Sequence, residues 1–125
     1  MFLNDFRLTV ASLSPALSLV SVSGEIDLHT AARLQQGIDE ATAVGADTVL
    51  LDLSGVGFID STALGVIVQE TKRLEGRGHA LILVTNDPRT MRVLEVTGLD
   101  RVLPRRATLH DALQDLAPEA AGVAG

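Results

Sequence analysis

The 125-residue chain contains no cysteine, no tryptophan and no tyrosine, and only three phenylalanines. Without cysteine it can form no disulfide, thiolate metal site or cysteine nucleophile, which fits a reducing compartment. With so few aromatic rings it offers little on which a nucleic-acid reader could stack bases. We therefore expect a mostly aliphatic core and a function that uses neither thiol chemistry nor base stacking.

Basic charge and long apolar runs are also scarce. Ten Lys and Arg face sixteen Asp and Glu, giving a net charge of −6 that repels phosphate backbones and anionic lipid. No apolar run approaches the roughly 20 residues that span a bilayer, and the first ten residues lack the basic start and apolar block of a signal peptide. The sequence predicts a cytoplasmic protein without nucleic-acid or membrane partners, and nothing in it demands more than a monomer.

Apolar periodicity predicts alternating strands and helices in one domain. Strands are expected at 6–13, 16–23, 48–53, 80–84 and 101–103. Helices are expected after the capping residues Thr30, Asp60, Asp87 and Thr108. The first two strands form a hairpin across Ser14 and Pro15, and the later strands alternate with helices, as in a parallel α/β sheet. Residues 118–125 are rich in small side chains, and we expect them to be disordered.

The most informative stretch is Phe-Ile-Asp-Ser-Thr-Ala-Leu-Gly at residues 58–65. It places two hydroxyls beside Asp60, where a predicted strand passes into a predicted helix. The simplest interpretation is that Asp60 or Ser61 caps the helix. A helix N-terminus also tolerates a phosphate group, so the same position suits phosphorylation. Ser61 is favoured over Thr62 because it lacks the extra methyl group and, if Asp60 is the cap, points outward.

A second candidate is Gly-Glu-Ile-Asp at residues 24–27, which follows the second strand. It is either a polar loop or part of a site, because loops at the carboxyl ends of parallel strands gather at one edge of a sheet. On the second interpretation Asp27, Ser61 and Asn86 with its neighbour Asp87 form one acidic, polar surface.

Other patterns do not indicate an enzyme. The chain has no Gly-x-Ser-x-Gly elbow, no Gly-x-x-x-x-Gly-Lys-Ser/Thr phosphate loop and no Gly-x-Gly-x-x-Gly fingerprint. His29, His79 and His110 lack the spacing of metal ligands, and the pair Arg105 and Arg106 is expected to be solvated. We expect no catalysis, no cofactor and no metal.

Taken together, residues 24–27, 49–53, 58–65 and 91–99 give the chain a resemblance to the STAS domain family, specifically to the bacterial anti-sigma factor antagonists. The resemblance spans residues 5–117. It implies a mixed sheet of four to five strands, with about four helices packed largely on one side.

The same resemblance implies a partner-switching function. The serine matching Ser61 is phosphorylated by a kinase that is also the anti-sigma factor. The unphosphorylated protein binds this partner and frees the sigma factor, and a protein serine phosphatase resets the switch. The expected partner-binding residues are Asp27, Asp60, Ser61, Thr62, Leu64 and Asn86. The alternative is a STAS interaction module of another regulatory or transporter-associated complex, in which this serine is not phosphorylated.

Overall fold

The computed structural model describes residues 5–116 of the chain. Its strands and helices alternate after an initial hairpin, as the periodicity predicts. They are β1 (Arg7–Ser14), β2 (Leu17–Ile26), α1 (Ala31–Ala43), β3 (Thr48–Ile59), α2 (Ser61–Glu75), β4 (Ala80–Val84), α3 (Pro88–Thr97), a 3-10 turn (Leu99–Arg101), β5 (Arg105–Arg106) and α4 (Leu109–Leu116).

The five strands form one mixed sheet in the order β1-β2-β3-β4-β5. β1 and β2 are antiparallel, and every later neighbouring pair is parallel because a helix returns the chain to the same edge of the sheet. The predicted α/β fold is confirmed. The loops that leave β2 and β3 consequently lie at the same edge of the sheet.

An aliphatic core covers both faces of the sheet. Val49 and Leu51 point to one face, where they pack with side chains of α1, α2 and α3. Leu50, between them, points to the other face and packs with Ala112 of α4. Three of the four helices therefore share one face, in agreement with the predicted arrangement.

β2 and β3 are longer than predicted, and this correction matters for the site. They run to Ile26 and Ile59 instead of ending at 23 and 53, because two register shifts let the parallel ladder continue past residues that are typical of turns. Gly24 lies within the extension at φ +93°, and a Cβ there would come within 2.7 Å of the Asp5 carbonyl oxygen. The two strands thus carry the β3–α2 junction well beyond the end of β4.

Charged side chains of α2 form an ion-pair network that reaches α1. Glu70 is buried on α2, and its carboxylate accepts hydrogen bonds from the Arg73 guanidinium, with Nε at 3.2 Å. Arg73 Nη2 also donates to Asp39 of α1 at 2.9 Å. The hydrogen bond with Glu70 raises the pKa of Arg73, against the smaller opposing effect of burial. The Arg73–Asp39 contact is partly exposed and adds a modest link between the two helices.

The last strand lies elsewhere than predicted. Gly98, with φ 78°, ends α3 as expected, but residues 99–101 then form the 3-10 turn, so the predicted strand at 101–103 is wrong and β5 follows at Arg105–Arg106. These two arginines are not simply solvated, since Arg105 Nη1 donates to the Thr85 carbonyl at 2.9 Å and Arg106 Nε donates to Asp115 at 2.8 Å. The predicted end of the domain at 117 and the predicted disordered tail at 118–125 lie outside the described residues.

Candidate functional site

The start of α2 is built around the carboxylate of Asp60. Asp60 is the N-cap residue, extended at φ −99° and ψ 178°, and its Oδ1 accepts a hydrogen bond from the Ala63 N–H at 2.9 Å. Ser61 is therefore the first residue of the helix, and it is exposed. The predicted helix start and the outward position of Ser61 both agree with the structure.

Asp60 also connects α2 to the loop that leaves β2. Its Oδ2 accepts a hydrogen bond from the Leu28 N–H at 3.0 Å, and its own N–H donates to the Ile26 carbonyl at 3.0 Å. One residue thus satisfies donors from two segments that are 32 positions apart in sequence. The two candidate segments of the sequence, at 24–27 and 58–65, are parts of one local structure.

Asp27 forms several hydrogen bonds within the β2–α1 loop. Its Oδ1 accepts hydrogen bonds from the N–H groups of His29 at 2.8 Å and Thr30 at 3.2 Å, while the Thr30 hydroxyl accepts from the Asp27 N–H at 2.9 Å. Thr30 is the N-cap residue of α1 as predicted but makes no side-chain capping bond. Its hydroxyl accepts from the Asp27 N–H and donates to the Glu25 carbonyl instead of bonding to a helical N–H.

Exposed side chains around this junction combine hydroxyls with apolar surface. Ser61 and Thr62 are both exposed. Two exposed apolar residues belong to the same junction, namely Leu28, 66% exposed, whose N–H donates to Asp60, and Phe58, 52% exposed, two residues before Asp60. Sequence reasoning missed both apolar residues. Strand alternation does not predict the exposure of Phe58, because Val56 and Ile59 are both buried in the core and the register shift between Val56 and Phe58 breaks the period of two.

Two of the predicted contact residues lie elsewhere. Leu64 is only 7% exposed and packs in the core beneath the junction, so it supports the surface and does not present a side chain to a partner. Asn86 lines a hollow of about 340 Å³ with Ser54, Thr108 and their neighbours, and neither Asp27 nor Ser61 lines it. Asn86 is separated from Ser61 because β4 pairs with β3 only as far as Asp52. The chain leaves β4 there, while β3 continues to Ile59 before Ser61.

The expected single polar surface is thereby revised to a smaller one. It consists of Asp27, Leu28, Phe58, Asp60, Ser61 and Thr62, and we call it the Ser61 surface. Within residues 5–116 no cluster of three or more His, Asp or Glu side chains could hold a metal ion, and no helix in that range has the length and apolar character needed to cross a membrane. The chemistry that this surface offers is an exposed hydroxyl on a rigid, acidic and partly apolar platform.

Comparison with known proteins decides the family. The family model described as the STAS domain matches residues 10–112. The chain belongs to the STAS domain family. Among STAS relatives, the anti-sigma-F factor antagonist RsfB of Mycobacterium tuberculosis is 34% identical to this chain over 110 residues, which is 88% of each protein.

Solved STAS structures agree with this assignment. An anti-sigma factor antagonist from Mycobacterium paratuberculosis matches with a TM-score of 0.79 and 35% identity, over 90% of this chain and 94% of that one. The anti-sigma factor antagonist SpoIIAA in its unphosphorylated form matches with a TM-score of 0.75 and 19% identity, over 90% and 97%. The Bacillus cell fate determinant SpoIIAA in its phosphorylated form matches with a TM-score of 0.68 and 21% identity, over 88% and 99%. At these identities the SpoIIAA matches establish the STAS fold alone.

Proposed function

We propose that this protein is an anti-sigma factor antagonist. In its unphosphorylated form it binds an anti-sigma factor that is also a serine kinase, and this releases the sigma factor. Phosphorylation at Ser61 ends the binding, and a protein serine phosphatase restores it. The chain itself acts by binding and not by catalysis. Its relatives of more than 30% identity that are named anti-sigma factor antagonists support the partner class.

One observation supports placing the switch at the start of α2, with Ser61 favoured over Thr62 because its hydroxyl is less hindered. The Ser61 hydroxyl is exposed at the first position of α2, on a backbone that the Asp60 carboxylate ties to the β2–α1 loop. A kinase can reach such a hydroxyl without unfolding the protein. In the transfer step, Ser61 Oγ bonds to the γ-phosphorus of ATP as the bond to ADP breaks, and the hydroxyl proton passes to a base of the kinase.

The effect of the phosphate follows from the charges nearby. It adds about −1.5 to −2 charges beside Asp60 and close to the segment that contains Asp27. The N-terminus of α2 tolerates this charge, because unpaired N–H groups and the helix dipole favour an anion there. We therefore expect the fold to survive. A partner interface that covers Ser61 would instead bury unpaired negative charge, which is costly.

The test is a phosphorylation assay with purified proteins. The chain is mixed with Mg-ATP and each anti-sigma factor kinase from its own cell, and the phosphate is mapped by mass spectrometry. Ser61→Ala removes the proposed acceptor, and Thr62→Ala is the matched control one residue away, also exposed and at the same helix start. We expect phosphate on wild type and on Thr62→Ala and none on Ser61→Ala.

Binding is measured on the same proteins before and after phosphorylation. The unphosphorylated chain should bind the kinase, and the phosphorylated chain should not. A stable complex with no phosphate on any residue would contradict the switch and favour a constitutive STAS interaction module, as in another regulatory or transporter-associated complex.

A further inference from the structure

The exposed side of α3 forms a groove that the Ser61 surface does not include. A hollow of about 140 Å³ lies between residues 57–59 and the helix, and a second of about 310 Å³ lies farther along the helix. Both hollows are lined by Arg89 and Val93, so they adjoin. The groove consists of Phe58, Arg89, Arg92, Val93, Val96 and Thr97, and we call it the α3 groove.

Helical spacing explains why these side chains share one face. Positions 89, 92, 93, 96 and 97 recur at intervals of three and four, which places them along one side of a helix. Leu94 lies on the other side, where it is buried in the core. On the groove side Val96 is 75% exposed, the highest value among the exposed large apolar residues of the described chain. An apolar stripe therefore faces outward and continues to Phe58.

The charged groups of the groove are basic in a chain of net charge −6. Arg89 has a 75% exposed side chain, with its Nε 3.6 Å from the Asp87 carboxylate, and Arg92 is also exposed. Guanidinium groups bind carboxylates with two parallel hydrogen bonds. Two arginines along an apolar stripe thus fit a segment that places a carboxylate beside an apolar side chain.

The groove is continuous with the Ser61 surface, because Phe58 belongs to both. A partner that covers Ser61 and packs on Phe58 would therefore lie at the entrance of the groove. We propose that the α3 groove binds an acidic and apolar segment of the same anti-sigma factor, and that Arg89 and Arg92 help to determine which anti-sigma factor is recognised. This inference rests on the proposed function but concerns a different set of side chains.

Charge reversal tests the basic half of the groove. Arg92→Glu and the double variant Arg89→Glu/Arg92→Glu are compared with Arg77→Glu, which makes the same change at an exposed turn before β4, at the opposite edge of the sheet. A glutamate at position 89 suits the first turn of a helix, so the double variant should fold, and circular dichroism checks this. Affinity is measured for the anti-sigma factor that phosphorylates Ser61.

We expect Arg92→Glu to weaken binding about tenfold and the double variant more, with Arg77→Glu within about twofold of wild type. Added salt should weaken the wild type more than the double variant. Phosphorylation of Ser61 together with unchanged binding of both groove variants would overturn the groove and leave the proposed function intact. Absence of any binding or phosphorylation of the wild type would overturn both.

A matched pair of variants tests the apolar half of the groove. Val96→Asp and Val44→Asp introduce the same charge at two valines that are 75% and 65% exposed, on α3 and just after α1. The first should weaken binding about tenfold, and the second should leave it unchanged. Equal affinities of the two variants would contradict an apolar contact in the groove.

Discussion

The helices α2 and α3 begin in the same way but differ in what their first turns connect. Each follows a parallel strand, and each has an aspartate cap that accepts a hydrogen bond from the third helical N–H, at 2.9 Å for Asp60 and 3.0 Å for Asp87. The next residue is Ser61 in α2 and Pro88 in α3. A capping aspartate alone therefore does not mark a functional site.

The second oxygen of each carboxylate reveals the difference. Asp60 Oδ2 reaches the Leu28 N–H of another loop, whereas Asp87 binds the Arg89 and Thr90 N–H groups of its own helix through a single oxygen, Oδ2. The α3 start makes only local contacts, and the hydroxyl beside its cap, that of Thr90, is buried and donates to Asp87 Oδ2 at 3.4 Å. The α2 start joins two segments and exposes a hydroxyl, and these two properties together make it a candidate switch.

The largest expected effect comes from replacing the first residue of α2 by proline, the residue found at this position in α3. Ser61→Pro should abolish phosphorylation. It should also change the free energy of unfolding by less than about 1 kcal/mol, because proline is favoured at the first helical position. Asp60 is already extended at ψ 178°, as the residue before a proline must be. Phosphate incorporation and urea unfolding measure the two results, and loss of folding would show that the two starts are not equivalent.

The reciprocal variant sharpens this result. Pro88→Ser places an exposed serine after a capping aspartate, as in α2. We expect mass spectrometry to find no phosphate on the serine introduced there, because the kinase recognises the Ser61 surface and not a capped serine by itself. Phosphorylation at both positions would mean that local sequence, and not the joined loops, determines the acceptor.

The next effect concerns the stability provided by the two caps. Asp60→Ala removes hydrogen bonds to Ala63 and Leu28 and should lower the free energy of unfolding by about 2 kcal/mol, roughly one for each bond. Asp87→Ala, whose carboxylate makes only local bonds, should lower it less. Chemical denaturation of both variants provides the comparison, and a larger loss for Asp87→Ala would refute the special role of Asp60.

A smaller effect is expected at Leu28, the residue that Asp60 positions. Leu28→Ala should weaken binding of the anti-sigma factor about tenfold, as for an apolar anchor beside a phosphorylation site. Its stability should stay within about 0.5 kcal/mol of wild type, because the side chain is exposed. Val44→Ala is the matched control, since the exposed fractions are 66% and 65%. Isothermal titration calorimetry should show normal affinity for that control.

The parts of this structure that the sequence predicts are those with local causes. Asp60 and Asp87 each precede an apolar helical stripe, so both helix starts can be located from a few neighbouring residues. β4 is found at its predicted bounds because its five residues are an unbroken apolar run. Leu64 lies at helical spacing with the other apolar residues of α2, and this pattern predicts that its side chain is buried.

The parts that the sequence does not reveal depend on contacts between distant segments. Gly24 is typical of a turn, yet it stays in β2 because β3 pairs with it across two register shifts. That extension separates Asn86 from the Ser61 surface. The hydrogen bond from Leu28 to Asp60 spans 32 positions, and no local pattern predicts it. Strand pairing and a long-range hydrogen bond therefore determine which residues form the Ser61 surface, and no sequence motif does.

The smallest expected effect is the pH dependence of the α3 cap. The Thr90 N–H, followed by the charge of Arg89, lowers the pKa of Asp87 below its usual value of about 4. Since the folded state holds this carboxyl charged, its contribution to stability is complete above about pH 4 and is lost as the pH falls through the lowered pKa. Asp87→Asn lacks that contribution, so its stability should approach that of wild type on acidification from pH 6 to pH 3. Thermal unfolding across this range measures the gap, and a gap that stays constant would show that the local hydrogen bonds do not depend on the charge.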